Sequence, residues 1–327
     1  MIKVGIIGTG IMGAGHARFI KAHVPDAKVV ALADIDAKRV ADLAAELGTV
    51  ELQTDSPEKL MNDPNVDAVI IVSPDSMHVE HLRLGIKAGK YILCEKPIAT
   101  TLEDARAIAQ EIRDYEGKVG KKMINFGFMR RFDPGYREVR RLIATGEYGA
   151  PLFVRAVCRN TDSGNITTTG LFTNIAIHDF DIYRWLFNSE WESVQGIYPR
   201  RSEGSPQGVA DPLIIIGKLK NGVTLVEDVY AFARYGYDTR VEVVCEKGSL
   251  EIGIHGDVIT RANFDAGVNK GGKMDVNWMA KFEPSYIAEL QAWVEEIKTG
   301  IVNPDFATVE DALIANEASG LGVASIS

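Results

Sequence analysis

Short apolar segments alternate with amphipathic segments of helical length over roughly the first third of the chain. The apolar segments predict buried strands, and the segments between them predict helices. The predicted strands are Val4–Gly8, Lys28–Asp34, Val66–Ser73, Tyr91–Cys94 and Met123–Met129, and the predicted helices are Met12–His23, Ala37–Leu47, Ser76–Ala88 and Leu102–Tyr115. Gly48 and Gly89 are placed to end two of these helices. Strands that alternate with helices in this way predict βαβ units and a doubly wound parallel sheet.

The rest of the chain has a different pattern, in which strand-like segments follow one another with short turns. After a predicted helix at Pro134–Ala144, the predicted strands are Leu152–Val157, Val194–Tyr198, Leu213–Leu219, Thr224–Ala231, Arg240–Cys245 and Ser249–Ile254. Asn221-Gly222 and Lys247-Gly248 are typical hairpin turns. Helices are predicted at Asn174–Phe187, Pro284–Thr299 and Thr308–Leu321. The pattern predicts an α/β domain with an open, mainly antiparallel sheet. We therefore expect two domains, residues 1–122 and 123–327.

Composition and charge exclude several classes of protein. The 327 residues are 46% hydrophobic and 25% charged, as in an ordinary globular protein. The net charge of −9 argues against a nucleic-acid or anionic-membrane partner, because both require a basic surface. The three cysteines are far apart, which argues against disulfides and favours a cytoplasmic location. No apolar run is long enough to span a membrane, and Met1 leads directly into the first strand, so we expect no signal peptide.

The sequence Gly8-Thr9-Gly10-Ile11-Met12-Gly13 predicts a dinucleotide site. This G-x-G-x-x-G motif lies between a predicted strand and a predicted helix, where its glycines let backbone N–H groups approach a pyrophosphate. Asp34 follows about twenty residues later, where a carboxylate hydrogen-bonds the adenosine ribose and repels a 2′-phosphate. NAD is therefore favoured over NADP. Lys38 and Arg39 could meet a phosphate instead, but we favour their assignment to a solvated helix face.

Two segments carry candidate catalytic side chains. Lys96, in Cys94-Glu95-Lys96-Pro97, follows a strand at its carboxyl end and could stabilise a developing alkoxide, or it could be a surface lysine. Cys94 is expected to be a buried apolar residue. Asn174, His178 and Asp181 fall on one face of a predicted helix. A histidine in that setting can be a general base, although a lone helical histidine is more often structural.

Other polar residues are weaker candidates. Arg130 and Arg131 could clamp hydroxyls or a phosphate, whereas pairing with Asp133 or neighbouring acids is an equal alternative for Arg131. Tyr235-Gly236-Tyr237 could line a sugar pocket or form an edge turn, and Arg159-Asn160 could form a polar pocket wall. His78 and His81 have a spacing compatible with a metal site, but no set of carboxylates or cysteines completes it, so no metal is expected.

These motifs together resemble a known family. Gly8–Gly13, Glu95-Lys96-Pro97 and the helix with His178 are similar to those of the Gfo/Idh/MocA oxidoreductases, over essentially the whole chain. The segments 127–133 and 235–238 resemble the bacterial inositol dehydrogenases of that family. The resemblance implies an N-terminal Rossmann domain, a C-terminal α/β domain, a homotetramer and NAD-linked oxidation of myo-inositol to scyllo-inosose. It implies that Lys96 and His178 are catalytic.

The family motif D-x-x-x-H places an aspartate where this chain has Asn174. An amide can hydrogen-bond a hydroxyl, but it supplies no negative charge to raise the basicity of His178. The substrate could therefore be scyllo-inositol, glucose or an anhydro-sugar, and a non-enzymatic NAD-sensing module is the alternative from another class. The residues that we predict to contact the cofactor are Gly8, Gly10, Ile11, Met12, Gly13, Asp34, Ser73, His78, Glu95 and Lys96. The residues that we predict to contact the polyol are Arg130, Asn160, Asn174, His178 and Tyr237.

Overall fold

The computed structural model describes residues 1–253 and 275–326. The chain forms two compact units. The first contains Met1–Phe132 and Pro284–Asn316, and the second contains Asp133–Glu283 and Glu317–Ser327. This division differs from the predicted one of 1–122 and 123–327, because a segment near the C-terminus packs with the N-terminal unit. That segment carries apolar side chains, such as Phe306 and Leu290, which are buried.

The first unit contains a parallel six-stranded sheet with strand order β3-β2-β1-β4-β5-β6. The strands are β1 (Ile2–Ile7), β2 (Ala27–Ala33), β3 (Leu52–Thr54), β4 (Ala68–Ile71), β5 (Tyr91–Glu95) and β6 (Ile124–Gly127). The helices between them are α1 (Ile11–His23), α2 (Ala37–Leu47), α3 (Pro57–Met61), α4 (His78–Ala88) and α5 (Leu102–Val119). The doubly wound sheet is confirmed. The pattern of the sequence did not predict β3 and α3, because both are short and only partly buried.

The centre of this sheet is buried on both faces. All four residues of β4 are fully buried, which explains why its sequence is a continuous apolar run rather than an alternating one. The predicted helix ends at Gly48 and Gly89 are confirmed, with φ of 71° and 67°. The strand order reverses between β1 and β4, and in such sheets ligands bind beyond the carboxyl ends of the strands at that point. Gly8, Asp34 and Ser73 all follow strand ends on this side.

The second unit contains a mixed sheet with strand order β12-β11-β7-β10-β9-β8 in its described part. These strands are β7 (Pro151–Arg159), β8 (Trp191–Ile197), β9 (Leu213–Leu219), β10 (Thr224–Tyr230), β11 (Asp238–Cys245) and β12 (Gly248–Ile252). Strands β7 and β10 are parallel, and every other neighbouring pair in this sheet is antiparallel. The mainly antiparallel sheet is confirmed, with hairpins at Asn221-Gly222 and Lys247-Gly248. Residue 254, the predicted end of the last strand, lies outside the described residues.

The remaining helices are α6 (Pro134–Thr145), α7 (Ile177–Phe187), α8 (Trp278–Thr299) and α9 (Val309–Ala324). The predicted α-helix at Asn174–Phe187 is wrong at its beginning, because residues Leu171–Ala176 form a π-helix that runs into α7. The helical segment therefore begins at Leu171, three residues before the predicted start, and its first turns are the wider turns of a π-helix. Helix α8 begins at Trp278 rather than at Pro284, which lies inside it. Within residues 1–253 and 275–326, the helices are too short or too polar to cross a bilayer.

Candidate active site

The glycine loop joins β1 to α1, and the surroundings of its three glycines differ. Gly8 has φ of +99°, and a Cβ there would lie 2.5 Å from the Val72 carbonyl oxygen. A Cβ on Gly13 would lie 1.9 Å from the Gly8 carbonyl oxygen. These two positions allow α1 to pack closely against the strands. A Cβ on Gly10, by contrast, would meet nothing within 4 Å, so the loop leaves open space beside the N-terminus of α1.

This open space fits a dinucleotide. Gly10 caps α1 without a side-chain hydrogen bond, and the positive end of the helix dipole favours a pyrophosphate there. Two large apolar side chains are exposed at the same side of the sheet: Ile11 is 72% exposed and Ile35 is 92% exposed. Such side chains provide apolar surface for a nucleotide base. Gly8, Gly10, Ile11, Met12 and Gly13 all lie in this loop, as the motif predicts.

Asp34 lies at the end of β2 and accepts hydrogen bonds from the loop. Thr9 donates its backbone N–H (2.6 Å) and its hydroxyl (2.9 Å) to Oδ2, and the Asp36 N–H donates to Oδ1 (3.0 Å). Burial acts to raise the pKa of Asp34, but these hydrogen bonds outweigh it and the pKa is lowered. The carboxylate is therefore ionised at neutral pH and can accept from ribose hydroxyls.

The two cations near Asp34 are paired with other acids. Lys38 Nζ lies 2.6 Å from Asp42 Oδ2, and Arg39 Nε lies 2.8 Å from Asp36 Oδ2. Lys38 and Arg39 are both exposed on α2, and their partners are Asp42 of the same helix and Asp36, which caps it, so the assignment of the two cations to a solvated helix face is confirmed.

Lys96 follows β5 directly, in a segment that is otherwise buried. Its side chain is half-buried, whereas Pro97 and Ile98 are buried. The peptide bond between Lys96 and Pro97 is cis. Glu95, at the end of β5, lies 2.8 Å from His16 Nε2 of α1, and both are buried. Cys94 is fully buried, and this burial raises the pKa of its thiol, so its assignment as a buried apolar residue is confirmed.

The predicted cofactor contacts Ser73 and His78 form part of a histidine cluster after β4. Ser73 Oγ lies 2.8 Å from His81 Nδ1. The ring of His78 is buried, with Nδ1 2.7 Å from the Pro97 carbonyl oxygen and Nε2 3.0 Å from the Ser73 carbonyl oxygen. The imidazole ring of His78 therefore contacts two backbone carbonyl oxygens. Neither histidine has a third metal ligand among the candidate clusters of the described residues.

The two arginines after β6 lie in a short 3₁₀ segment, Met129–Phe132, and both are buried. Arg131 Nη2 lies 3.3 Å from Asp311 Oδ1 of α9. Of the two interpretations left open for Arg131, pairing with an acid is correct, but the partner is remote in sequence. Arg130 is 1% exposed and remains a predicted polyol contact.

Asn174 and His178 lie on either side of the junction between the π-helix and α7. Both side chains are half-buried, whereas Asp181, one turn further along, is buried. Single π-turns within helices are frequent at functional sites, because they change the direction in which side chains point. The sequence contained no pattern that separates a π-turn from an α-helix, so this feature was missed.

Arg159 organises a polar network at the end of β7. Its guanidinium donates to both oxygens of Asp228, at 2.7 Å for the Nη2 contact, and to the Tyr235 hydroxyl at 2.8 Å. The hydrogen bonds to Asp228 raise the pKa of Arg159 despite partial burial, and burial raises the pKa of Tyr235 although Arg159 opposes it. Asn160, the next residue, is held by its backbone: its N–H donates to the Tyr230 carbonyl at 2.8 Å.

Tyr237 follows the same turn and is 7% exposed. Its backbone N–H donates to the Asp275 carbonyl oxygen at 2.9 Å, and its ring meets Phe282 edge to face. These two contacts hold Tyr237 in place at the end of the turn. Asn160 and Tyr237 remain predicted polyol contacts.

One further group of side chains in the second unit was not found from the sequence. Cys158, Asp179 and Glu227 are buried, and one potential ligand atom from each lies within 4.8 Å of the others. They come from β7, α7 and β10, so only the packing of helix on sheet brings them together.

Comparison with known proteins agrees with this geometry. Residues 2–122 match the family model described as "Oxidoreductase family, NAD-binding Rossmann fold", and residues 136–251 match the Gfo/Idh/MocA C-terminal domain. Inositol 2-dehydrogenase 1 of Saccharopolyspora erythraea is 36% identical over 91% of this chain and 87% of its own length. Inositol 2-dehydrogenase of Pseudomonas fluorescens is 34% identical over 92% and 88%.

Solved structures show the same similarity. The myo-inositol dehydrogenase of Lactobacillus casei, in complex with NAD(H) and myo-inositol, superposes with a TM-score of 0.88 at 32% identity, covering 100% of this chain and 94% of that one. The scyllo-inositol dehydrogenase of the same organism, with NAD(H) and scyllo-inositol, gives 0.86 at 26% identity, covering 99% and 96%.

The fold and the glycine loop define an NAD-binding oxidoreductase of the Rossmann class. Its catalytic chemistry is that of a dehydrogenase. The chain belongs to the Gfo/Idh/MocA oxidoreductase family.

Proposed function

We propose that this protein oxidises a ring hydroxyl of a cyclic polyol to a ketone with NAD, and that the substrate is myo-inositol and the product scyllo-inosose. The observation that carries the proposal is the similarity, over the whole chain, to an enzyme solved with NAD(H) and myo-inositol. We also propose that residues 1–122 bind the dinucleotide and residues 123–327 bind the polyol.

The proposed chemistry assigns a task to each candidate side chain. NAD, when bound, accepts the hydride that leaves the ring carbon. His178 takes the proton of the reacting hydroxyl, and Lys96 donates a hydrogen bond to the oxygen as negative charge develops on it. Asn174, Arg130, Asn160 and Tyr237 hold the other hydroxyls. Sites of this kind discriminate strongly between polyols, because a missing hydroxyl leaves a buried polar group without its partner.

NAD is favoured over NADP by this chain's own residues. Asp34 offers a carboxylate to the ribose and repels a 2′-phosphate, and Lys38 and Arg39 are paired with Asp42 and Asp36. The substrate is less narrowly defined, because Asn174 replaces the aspartate of the family motif. Scyllo-inositol is the second candidate, supported by the likeness to a scyllo-inositol dehydrogenase.

The test is a polyol screen with purified protein. Myo-inositol, scyllo-inositol, glucose and an anhydro-sugar are each incubated with NAD or NADP, and formation of the reduced cofactor is followed by absorbance. We expect myo-inositol with NAD to have the highest kcat/KM. Lys96→Ala and His178→Ala should each lower it by about 10²–10⁴-fold. Lys218→Ala and His23→Ala, at exposed positions, serve as controls. Normal turnover in the first two variants would exclude these roles, and tight NADH binding without turnover of any polyol would favour an NAD-sensing module.

We further propose that the protein is a homotetramer that uses the outer face of the second sheet. Val226 is paired with Ile216 on one side and Arg155 on the other, so the three side chains share that face. Val226 is 44% exposed and Ile216 is half-buried, which leaves apolar surface in the middle of the sheet. Native mass spectrometry should show four copies for the unchanged protein and fewer for Val226→Glu. A monomeric unchanged protein would contradict the proposal.

A further inference from the structure

Three helices hold the short segment that carries Lys96. His16 of α1 contacts the Glu95 carboxylate at 2.8 Å, His78 of α4 contacts the Pro97 carbonyl oxygen at 2.7 Å, and Asn316 of α9 donates to the Ala99 carbonyl oxygen at 2.7 Å. The side chains that make these contacts are all buried: Glu95, His16, His78 and Asn316. The backbone on both sides of Lys96 is therefore fixed by side chains from outside its own loop.

His78 differs from the other two because it joins two strand ends. Its ring lies between the carbonyl oxygen of Ser73, after β4, and that of Pro97, after β5. These strands are neighbours in the sheet, with Ile71 paired to Cys94. A carbonyl oxygen can only accept, so each ring nitrogen must carry a proton to donate to it: a neutral ring makes one of the two hydrogen bonds, and an imidazolium makes both. The ring is 1% exposed, so water does not replace a lost contact.

We propose that His78 is a positioning residue for Lys96, which acts by holding the Pro97 carbonyl against the end of β4. The proposal rests on the catalytic role of Lys96 given above. Lys96 directly precedes Pro97, whose carbonyl His78 contacts. The side chain of Lys96 is half-buried at the end of the strands where such sheets bind ligands. A displacement of about 1 Å in a catalytic group can lower the rate as much as a hundredfold. Loss of a single hydrogen bond that holds this loop can therefore lower kcat.

The variants are His78→Leu, which removes every hydrogen bond of the ring at similar volume, and His78→Gln, which keeps a side-chain donor. We expect His78→Leu to lower kcat for polyol oxidation by about tenfold to a hundredfold while the Kd for NADH stays within about twofold. His78→Gln should recover a substantial part of kcat. If His78→Leu fails to fold, the comparison of His78→Gln with the unchanged protein carries the test.

Glu116→Ala is the matched control. Glu116 also bridges two backbone groups of the first unit, accepting from the Met123 and Ile124 N–H groups at 2.8 and 2.9 Å, but at the amino end of β6. It should lower Tm without changing kcat. If Glu116→Ala and the His78 variants lower kcat in the same proportion as Tm, His78 is merely structural and the proposal is overturned.

A second readout does not depend on the polyol. The rate at which an amine-reactive reagent modifies Lys96 is followed by mass spectrometry, with the exposed Lys218 as internal reference. We expect Lys96 to react severalfold faster in His78→Leu than in the unchanged protein, and Lys218 to react at the same rate in both. Equal rates at Lys96 would overturn the positioning role. If no polyol is oxidised by the unchanged protein, the proposed function fails, and the labelling rates still decide the role of His78.

Discussion

Thr9 donates two hydrogen bonds to a single carboxylate oxygen of Asp34, one from its backbone N–H and one from its hydroxyl. The glycine loop after β1 and the end of β2 are therefore joined through one acid. Asp34 thus shapes the glycine loop, and we propose that it also presents its carboxylate to the ribose. A change at Asp34 is expected to affect both cofactor affinity and cofactor choice.

The first prediction concerns Asp34→Ala. Loss of charge-assisted hydrogen bonds of about 1.5–3 kcal/mol each should raise KM for NAD by about tenfold to a hundredfold. The loss of negative charge should at the same time raise kcat/KM for NADP relative to NAD. Steady-state kinetics with both cofactors measures the ratio. Glu111→Ala, which removes an exposed acid paired with Arg83, is the control and should leave the ratio unchanged. An unchanged ratio in Asp34→Ala would exclude its role in cofactor choice.

The second prediction concerns Asn174→Asp, which restores the carboxylate of the family motif. A negative charge beside an imidazole favours the imidazolium and raises the pKa of the ring. Because the proposed base must be neutral, the acid limb of the pH profile of kcat/KM should move to higher pH. The profile of the variant is compared with that of the unchanged protein, with Asn174→Ala as the uncharged control. If Asn174→Asp and Asn174→Ala have the same acid limb, position 174 does not act on the base.

The third prediction concerns Arg159→Gln. The variant loses the two hydrogen bonds to Asp228 and the one to Tyr235. The free energy of unfolding should fall by about 1–3 kcal/mol, measured by urea denaturation. Because Tyr235 begins the turn that contains Tyr237, KM for the polyol should rise more than KM for NAD. Arg141→Gln removes an exposed bidentate pair with Glu138 and should change neither quantity. Equal changes in the two KM values would argue against a link between Arg159 and the polyol site.

The fourth prediction concerns His81 and pH. Burial lowers the pKa of His81 in the folded protein, so the unfolded chain binds a proton more readily than the folded one. In the unfolded chain His81 has the ordinary histidine pKa of about 6.5. Protonation of the unfolded chain therefore lowers the free energy of unfolding as pH falls below that value toward the lower pKa of the folded protein. Tm should therefore fall less between pH 7.5 and 5.5 in His81→Gln than in the unchanged protein. His23→Gln, at an exposed position, should show the unchanged slope, and identical slopes in all three proteins would refute the assignment.

Local patterns predicted the elements that local forces determine. Strand β4 is a continuous apolar run because both of its faces are buried, and helices α2 and α4 end at glycines with positive φ. The G-x-G-x-x-G loop was predicted with its function from a short motif, although the contact that excludes a side chain at Gly8 is with the distant Val72. The signals for all these features lie in neighbouring residues or in a period of two or 3.6 residues.

Contacts between distant residues could not be predicted in this way. Arg131 was left with two interpretations, and its partner Asp311 lies 180 residues away. His78 stays a predicted cofactor contact, and the contacts of its ring with the carbonyls of Ser73 and Pro97 were not predicted. The parallel pairing of β7 and β10 was also absent from a pattern that indicated only hairpins.

By itself, the sequence determined most of the strands and helices, where the cofactor loop lies and which family the chain resembles, because periodicity, glycine and short motifs act over one or two turns of backbone. The tertiary structure decided how polar side chains are satisfied: Thr9 with Asp34, Arg159 with Asp228, and His78 with two carbonyls. The physical reason is that a buried polar group must find a partner wherever packing brings one, and packing is a property of the whole fold.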